Sequence, residues 1–245
     1  MASEVLLDFD GAVAVVTLNA PERRNALTRE MAHEFMAALA EVDGRSDVGA
    51  LVVRGVGKSF CAGGDIKTLT DAGRDPALAE NYEGMTAIYD SFYRLGQVQV
   101  PTVAAVRGSA VGAGMNMLLA ADLRIIARDA RLICGFLKRG LHPGGGHFVI
   151  LERLIGREAA AAMAIFGEEI NGERAAELGM AWEAVDDDAV EGRAMELAQR
   201  TASDPGLARV AVQNFRRETA TPVSWEIASQ FERPAQMWSM RRSAD

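Results

Sequence analysis

Apolar residues alternate loosely with polar ones over "VLLDFDGAVAVVTLN", and Asp10-Gly11 falls where a tight hairpin turn sits, so two strands are predicted there. The spacing then lengthens. In "ALTREMAHEFMAALAEVD" the residues Met31, Phe35, Leu39 and Val42 share one face, which predicts an amphipathic helix with Thr28 as its cap. "GALVVRG" and "VPTVAAVRG" are short and wholly apolar, the pattern of strands buried on both faces. "GAGMNMLLAAD" predicts a helix between the second of these and two more strands, "LRIIAR" and "ARLICGF". A polar stretch, "GRDPALAENYEGMTAIYDSFYRLG", offers Asp75-Pro76 as a helix start, while the segment Ile66 to Leu95 as a whole reads as irregular. Alternating strands and helices predict parallel strands with helices packed across them.

From Pro143 onward the pattern is helical. "REAAAAMAIFG", "NGERAAELG" and "DAVEGRAMELAQRTA" carry helical periodicity and end on Gly or polar residues, with "MAWEAV" as a strand between the last two. In the tail, Trp225, Ala228, Ala235 and Trp238 recur at helical spacing, and Pro234 kinks or breaks that helix. Aromatics there pack either on another subunit or back on their own chain.

The 245 residues are enough for one large core, and 26 basic against 34 acidic side chains, with no basic run, argue against nucleic acid as a partner. No apolar run is long enough to span a bilayer, so a cytoplasmic protein without a membrane partner is expected. Cys61 and Cys134 lack any paired spacing, and no metal site can be assembled; each cysteine reads as a small apolar residue.

Three glycine-bearing stretches fall where strands end: "GKSFCAGGDIK", "VRGSAVGAGMN" and "RGLHPGGGH". Glycine lets a backbone approach a ligand closely, and the free N–H groups of a following helix can hold an anion. Two such turns side by side can form an oxyanion hole. The spacings of nucleotide-binding glycine loops are missing.

Together with "NAPERRNALT", "PTVAAVRGSAVGAGMNMLLAADLRIIARDARL" and "INGERAAELGMAWEAV", these stretches resemble the enoyl-CoA hydratase/isomerase, or crotonase, superfamily over nearly the whole chain. The resemblance implies an α/β fold, a spiral of ββα turns over residues 1–187 that binds acyl-CoA. It further implies a C-terminal helical region, 188–245, that assembles a homotrimer or a hexamer built as a dimer of trimers. Coenzyme A would be the carrier part of the substrate, with no other cofactor. Carried over by position, the oxyanion-hole donors are the N–H groups of Ala62 and Ala113. The CoA-binding set is Arg23, Ala62, Asp65, Ile66 and Lys67, with Asp65 bracing its loop.

The resemblance fails at the acid–base groups. The hydratases' two glutamates fall on Asn116 and Phe136, and a third carboxylate position used elsewhere in the family falls on Gly144. An amide can hold water but cannot take its proton, and phenylalanine can do neither. Titrating groups nearby are His142 and His147, flanking the glycine turn. A histidine at a helix N-terminus is biased toward its neutral form, and His147 is favoured over His142 as acid or base. His33 is expected to face solvent. Two readings follow. In the first, an acyl-CoA enzyme of fatty acid metabolism, a lyase or isomerase by family, uses the oxyanion hole with Asn116 and a histidine. Loss of a carboxylate or a retro-aldol-like cleavage suits that site better than hydration. In the second, the chain is a non-catalytic acyl-CoA-binding protein.

Overall fold

The computed structural model describes residues 3–219 and, beyond them, Ser224, Trp225, Glu226, Gln230, Arg233 and Met237. The chain opens with the predicted hairpin. Strands β1 (Val5–Asp10) and β2 (Val13–Leu18) pair antiparallel, and Gly11 turns the corner at φ +59°. Helix α1 (Arg29–Gly44) buries Met31, Phe35, Leu39 and Val42, and the Thr28 hydroxyl accepts from the Met31 N–H at 3.0 Å. His33 on its outer face is exposed.

The chain then repeats one step. It lays a strand in a large sheet, a second strand in a small one, and follows with helix. Strands β3 (Ala50–Gly55) and β4 (Ser59–Cys61) precede α2 (Ile66–Arg74) and α3 (Ala79–Leu95). Next come β5 (Thr102–Val106), β6 (Ser109–Val111) and α4 (Ala113–Ala120). β7 (Leu123–Ala127) and β8 (Arg131–Ile133) lead through a 3-10 turn, Leu137–Arg139, to α5 (His147–Ala164). Then follow β9 (Ile170–Asn171), α6 (Gly172–Glu177), β10 (Glu183–Val185), α7 (Val190–Ala202) and α8 (Pro205–Glu218). The large sheet runs β1-β2-β3-β5-β7-β10 and the small one β4-β6-β8-β9. Every pairing is parallel except β1·β2 and β8·β9. β2 and β5 are buried along their whole length, as their continuous apolar runs require.

Several expectations are corrected. Ile66 to Leu95 is two helices rather than irregular, and Asp75-Pro76 lies in the turn between them, three residues ahead of α3. α5 starts at His147, well before "REAAAAMAIFG", and continues past a break at Gly156. Only Glu183–Val185 of "MAWEAV" is strand. α8 escapes the apolar pattern and is signalled only by Asp204-Pro205, where the Asp204 carboxylate accepts from the Leu207 N–H at 3.0 Å.

The boundary at 187/188 falls inside the turn that leads into α7, whose Val190, Ala194, Ala198 and Ala202 are buried across β3, β5 and β7. Trp225 packs on its own chain. Its ring stacks on Phe92 at 5.9 Å, and its indole N–H donates to the Gly145 carbonyl at 2.7 Å. Ala228, Pro234, Ala235 and Trp238 lie outside the described residues. Among the described residues, no helix is long and apolar enough to cross a membrane.

Candidate active site

Strands β4, β6 and β8 run side by side and parallel, so the three chains that leave them emerge at one edge. That edge is the floor of a cavity of about 380 Å³. After β4 comes the segment 62–65, held against 24–27 like a further strand. The Ala62 N–H donates to the Arg24 carbonyl at 2.9 Å, Leu27 to Gly63 at 2.7 Å and Asp65 to Leu27 at 2.9 Å. Asn25, in the left-handed region at φ +55°, pins the inner side of this arrangement. Its Oδ1 accepts from the Ala20 N–H at 2.8 Å, and its Nδ2 faces the carbonyls of Val56, Ser59 and Phe60.

This ladder corrects one expectation. The N–H of Ala62 is already spent on Arg24, although the residue does line the cavity. The Leu27 bridge uses the carbonyl of Gly63 and the N–H of Asp65, which turns the Gly64 amide to the opposite side. Among the described residues, the Gly64 N–H has no acceptor, and neither does that of Ala113 at the start of α4, where helix amides lack intrahelical partners. Both residues line the cavity. Gly64 was missed because the motif "CAGGD" offers several amides, and only the pairing of the loop shows which are spent.

Two glycines allow this loop and α4 to close on each other. A Cβ on Gly63, whose φ is +95°, would lie 2.7 Å from the Val111 carbonyl oxygen, and one on Gly114 would lie 2.2 Å from that of Cys61. Neither position tolerates a side chain without moving backbone.

Asn116 lines the cavity from the first turn of α4 and is 1% exposed. Its amide is tethered at both ends: Nδ2 donates to the Gly144 carbonyl at 2.9 Å, and Oδ1 lies 2.7 Å from Nδ1 of His147. His147 is fully buried and does not line the cavity itself; its Nε2 lies 3.0 Å from the Sγ of Cys134, which does. Desolvation lowers the imidazole pKa to about 4, so His147 is neutral. Phe136 lines the cavity and meets the His147 ring edge-on at 4.9 Å. His142 is not brought to the site. Its Nδ1 lies 2.6 Å from the Pro143 carbonyl oxygen, and its ring meets Phe148.

On the other side of the cavity, the Asp65 carboxylate caps α2 by accepting from the Thr68 N–H at 3.0 Å, which braces the loop, and Ile66 lines the cavity beside it. Arg23 lines the cavity but is engaged elsewhere: its guanidinium pairs with Glu4 and donates to the Ala26 carbonyl. Lys67 is 88% exposed, pairs with Asp71 at 3.4 Å and is not among the lining residues. Arg24 and Arg139 line the cavity, are exposed, and have no side-chain partner among the described residues. Arg139 was not legible as a site residue, because only the fold brings the turn after β8 to the cavity.

Paired two-sheet turns with helices between them, wound into a spiral, define the class as the crotonase fold. An enoyl-CoA hydratase from Bacillus halodurans superposes with a TM-score of 0.89 at 20% identity, over 99% of this chain and 97% of that one. One from Bacillus anthracis does so with a TM-score of 0.81 at 27% identity, over 95% and 89%. The family model described as Enoyl-CoA hydratase/isomerase matches residues 8–243, and the chain belongs to that family. It is 41% identical over 223 residues to a probable enoyl-CoA hydratase of Mycobacterium tuberculosis, covering 91% of this chain and 85% of that protein. It is 34% identical over 228 residues to the 1,2-epoxyphenylacetyl-CoA isomerase of Escherichia coli, covering 89% and 85%.

Proposed function

We propose that this protein turns over an acyl-CoA thioester by gathering negative charge on the thioester oxygen between the Gly64 and Ala113 N–H groups, without a carboxylate base. The observation that carries this reading is that these two amides, from successive turns of the spiral, are unspent among the described residues and belong to residues that line one cavity. The acyl part lies among Leu69, Met85, Ile88 and Phe136. The phosphates of CoA leave past Arg24 and Arg139, and CoA enters as part of the substrate, with no further cofactor.

Among the described lining residues the carboxylates are Glu22 and Asp65, and Asp65 serves as a helix cap. Glu22 is exposed and pairs with Arg23 at 3.3 Å, and the two hydratase glutamate positions hold Asn116 and Phe136, so neither of those positions offers a carboxylate to activate water. A reaction in which the substrate's own bond supplies the electron pair suits this site: loss of carbon dioxide from a 2-carboxyacyl-CoA, with water protonating carbon 2 of the enolate, or retro-aldol cleavage of a 3-hydroxyacyl-CoA, with water taking the hydroxyl proton and returning one to carbon 2. The enolate oxygen then forms where both amides point. Phe136 on the cavity wall favours a second reading, in which the protein binds acyl-CoA without turning it over. Exposed Leu207, Val210 and Phe215 on α8 support self-association through the C-terminal helices, with light-scattering mass as the check.

Ala113→Pro tests the main reading, because proline fits the first position of a helix and deletes one donor. Enoyl-, 3-hydroxyacyl- and 2-carboxyacyl-CoA thioesters are supplied to both proteins. Consumption of one of them by the parent, slowed roughly 100- to 1,000-fold in the variant, is expected. Equal rates would refute the donor assignment. Binding of all three without consumption by the parent selects the second reading.

A further inference from the structure

The buried group left idle above is the Cys134 thiol. Cys134 follows β8 directly, as Gly112 and Ala113 follow β6, and the two strands are parallel with Val111 opposite Ile133. Paired strands lie ~4.8 Å apart, so Cys134 emerges beside the turn that carries the Ala113 donor. The Gly112 N–H donates to the Ile133 carbonyl at 3.0 Å, which locks the two exits together.

Around this thiol the polar groups stand in series. Cys134 Sγ is 3.0 Å from His147 Nε2, and His147 Nδ1 is 2.7 Å from Asn116 Oδ1. Because Asn116 Nδ2 is donated to Gly144, its oxygen faces the imidazole. The oxygen can only accept, so Nδ1 carries the proton and the lone pair of the ring lies on Nε2, toward the thiol. A nucleophile, a base and an amide that orients the base is an order that recurs among thiol enzymes on unrelated folds.

We propose that Cys134, His147 and Asn116 form a nucleophilic triad that takes the acyl group from an acyl-CoA thioester and passes it to water, a thioester hydrolase activity. The proposal rests on the reading that the cavity holds the thioester with its oxygen at Gly64 and Ala113. Sγ bonds to the carbonyl carbon as the thiol proton passes to Nε2, and the carbonyl pair moves to the oxygen held by the two amides. Collapse breaks the carbon–sulfur bond to CoA, and the leaving thiolate takes the proton from Nε2. Water then adds to the acyl-cysteine, giving a proton to Nε2. Collapse frees the carboxylic acid, and the proton returns to Sγ. The sum is acyl-CoA plus water giving acid plus CoA thiol, with nothing oxidised or reduced. Burial keeps both the thiol and the imidazole neutral at rest, so proton transfer accompanies carbon–sulfur bond formation and no resting ion pair is used. Asn116 is the positioning residue.

The test supplies acetyl-, butyryl- and octanoyl-CoA to the parent protein and to Cys134→Ala, Cys134→Ser and Asn116→Asp. Binding is read by calorimetry, CoA release by a thiol reagent, and acylation by intact mass after an acid quench. The parent should bind at least one thioester, gain one acyl group mapped to Cys134 and release CoA. Cys134→Ala and Cys134→Ser should bind that thioester with unchanged affinity, which also shows that they are folded, while CoA release falls at least 100-fold. Asn116→Asp should move the pH midpoint of acylation upward, because a carboxylate beside Nδ1 favours the imidazolium; loss of the donor to Gly144 lowers stability whatever the role of the residue, and a merely structural asparagine would leave the pH midpoint where it is. Binding without acylation or CoA release, or release retained in Cys134→Ala, overturns the triad and leaves the acyl-CoA reading standing. Failure of the parent to bind any of the three overturns that reading, and the triad with it.

Discussion

Gly114→Ala is the substitution in which helix propensity and packing disagree most sharply. In an open helix it would stabilise by about 1 kcal/mol. Here the added Cβ would lie 2.2 Å from the Cys61 carbonyl oxygen and 2.9 Å from the Cys61 carbonyl carbon, atoms of β4 and not of a flexible side chain. Carbon and oxygen need ~3.3 Å, so the first turn of α4 must retreat by about 1 Å. Overpacking of this kind costs about 1–3 kcal/mol, enough to reverse the propensity gain. A net loss near 1 kcal/mol corresponds to a fall in Tm of roughly 2–4 °C for a chain of this size. The same retreat carries the Ala113 donor away from Gly64, and a misplacement of about 1 Å costs on the order of 100-fold in rate. Calorimetric melting and acyl-CoA turnover, measured side by side, check both effects. A variant that melts at or above the parent temperature and keeps its acyl-CoA turnover would show that α4 is not clamped on β4.

Three further outcomes follow from the same geometry. Asn25→Ala strands the Ala20 N–H and removes the donor facing three carbonyls, and should cost about 3–5 kcal/mol in urea unfolding; a loss below about 1 kcal/mol would refute the bracing role. His147 has a folded pKa of about 4 against 6.5, so the unfolded chain takes up the proton first. Its contribution is therefore complete above pH 6.5 and is lost as pH falls toward 4, about 3 kcal/mol in all; unfolding curves across that window should flatten in His147→Gln, and an unchanged slope would contradict the assignment. Arg24→Ala with Arg139→Ala should raise the Kd for free CoA about fivefold at low salt and less at high salt, since both side chains are exposed; an equal affinity in titration calorimetry would remove the phosphates from that side.

The reach of the sequence differs from residue to residue. Met31, Phe35, Leu39 and Val42 were placed correctly because a helix face depends only on local spacing. Asp65 was legible as a brace because capping acts over three residues. Ala113 was legible because it opens a helix, and the amides there are free by construction. Ala62 looks from its motif like a free donor, but its N–H is spent on Arg24, a partner distant in sequence. Cys134 looks in the sequence like a small apolar residue for the same kind of reason: His147 lies thirteen residues away and meets it only after the glycine turn folds back.

Local rules thus determined the alternation of strands and helices, the apolar faces, the caps and the glycine turns, all of which act over a few residues. The matching motifs then identified the family. Only the tertiary structure decided which amides remain unspent and which arginines are left without partners among the described residues, and that a cysteine, a histidine and an asparagine stand in series. The physical reason is that a hydrogen-bonding group has a limited number of partners, and which of them it takes is settled by segments that the folded chain brings together from afar.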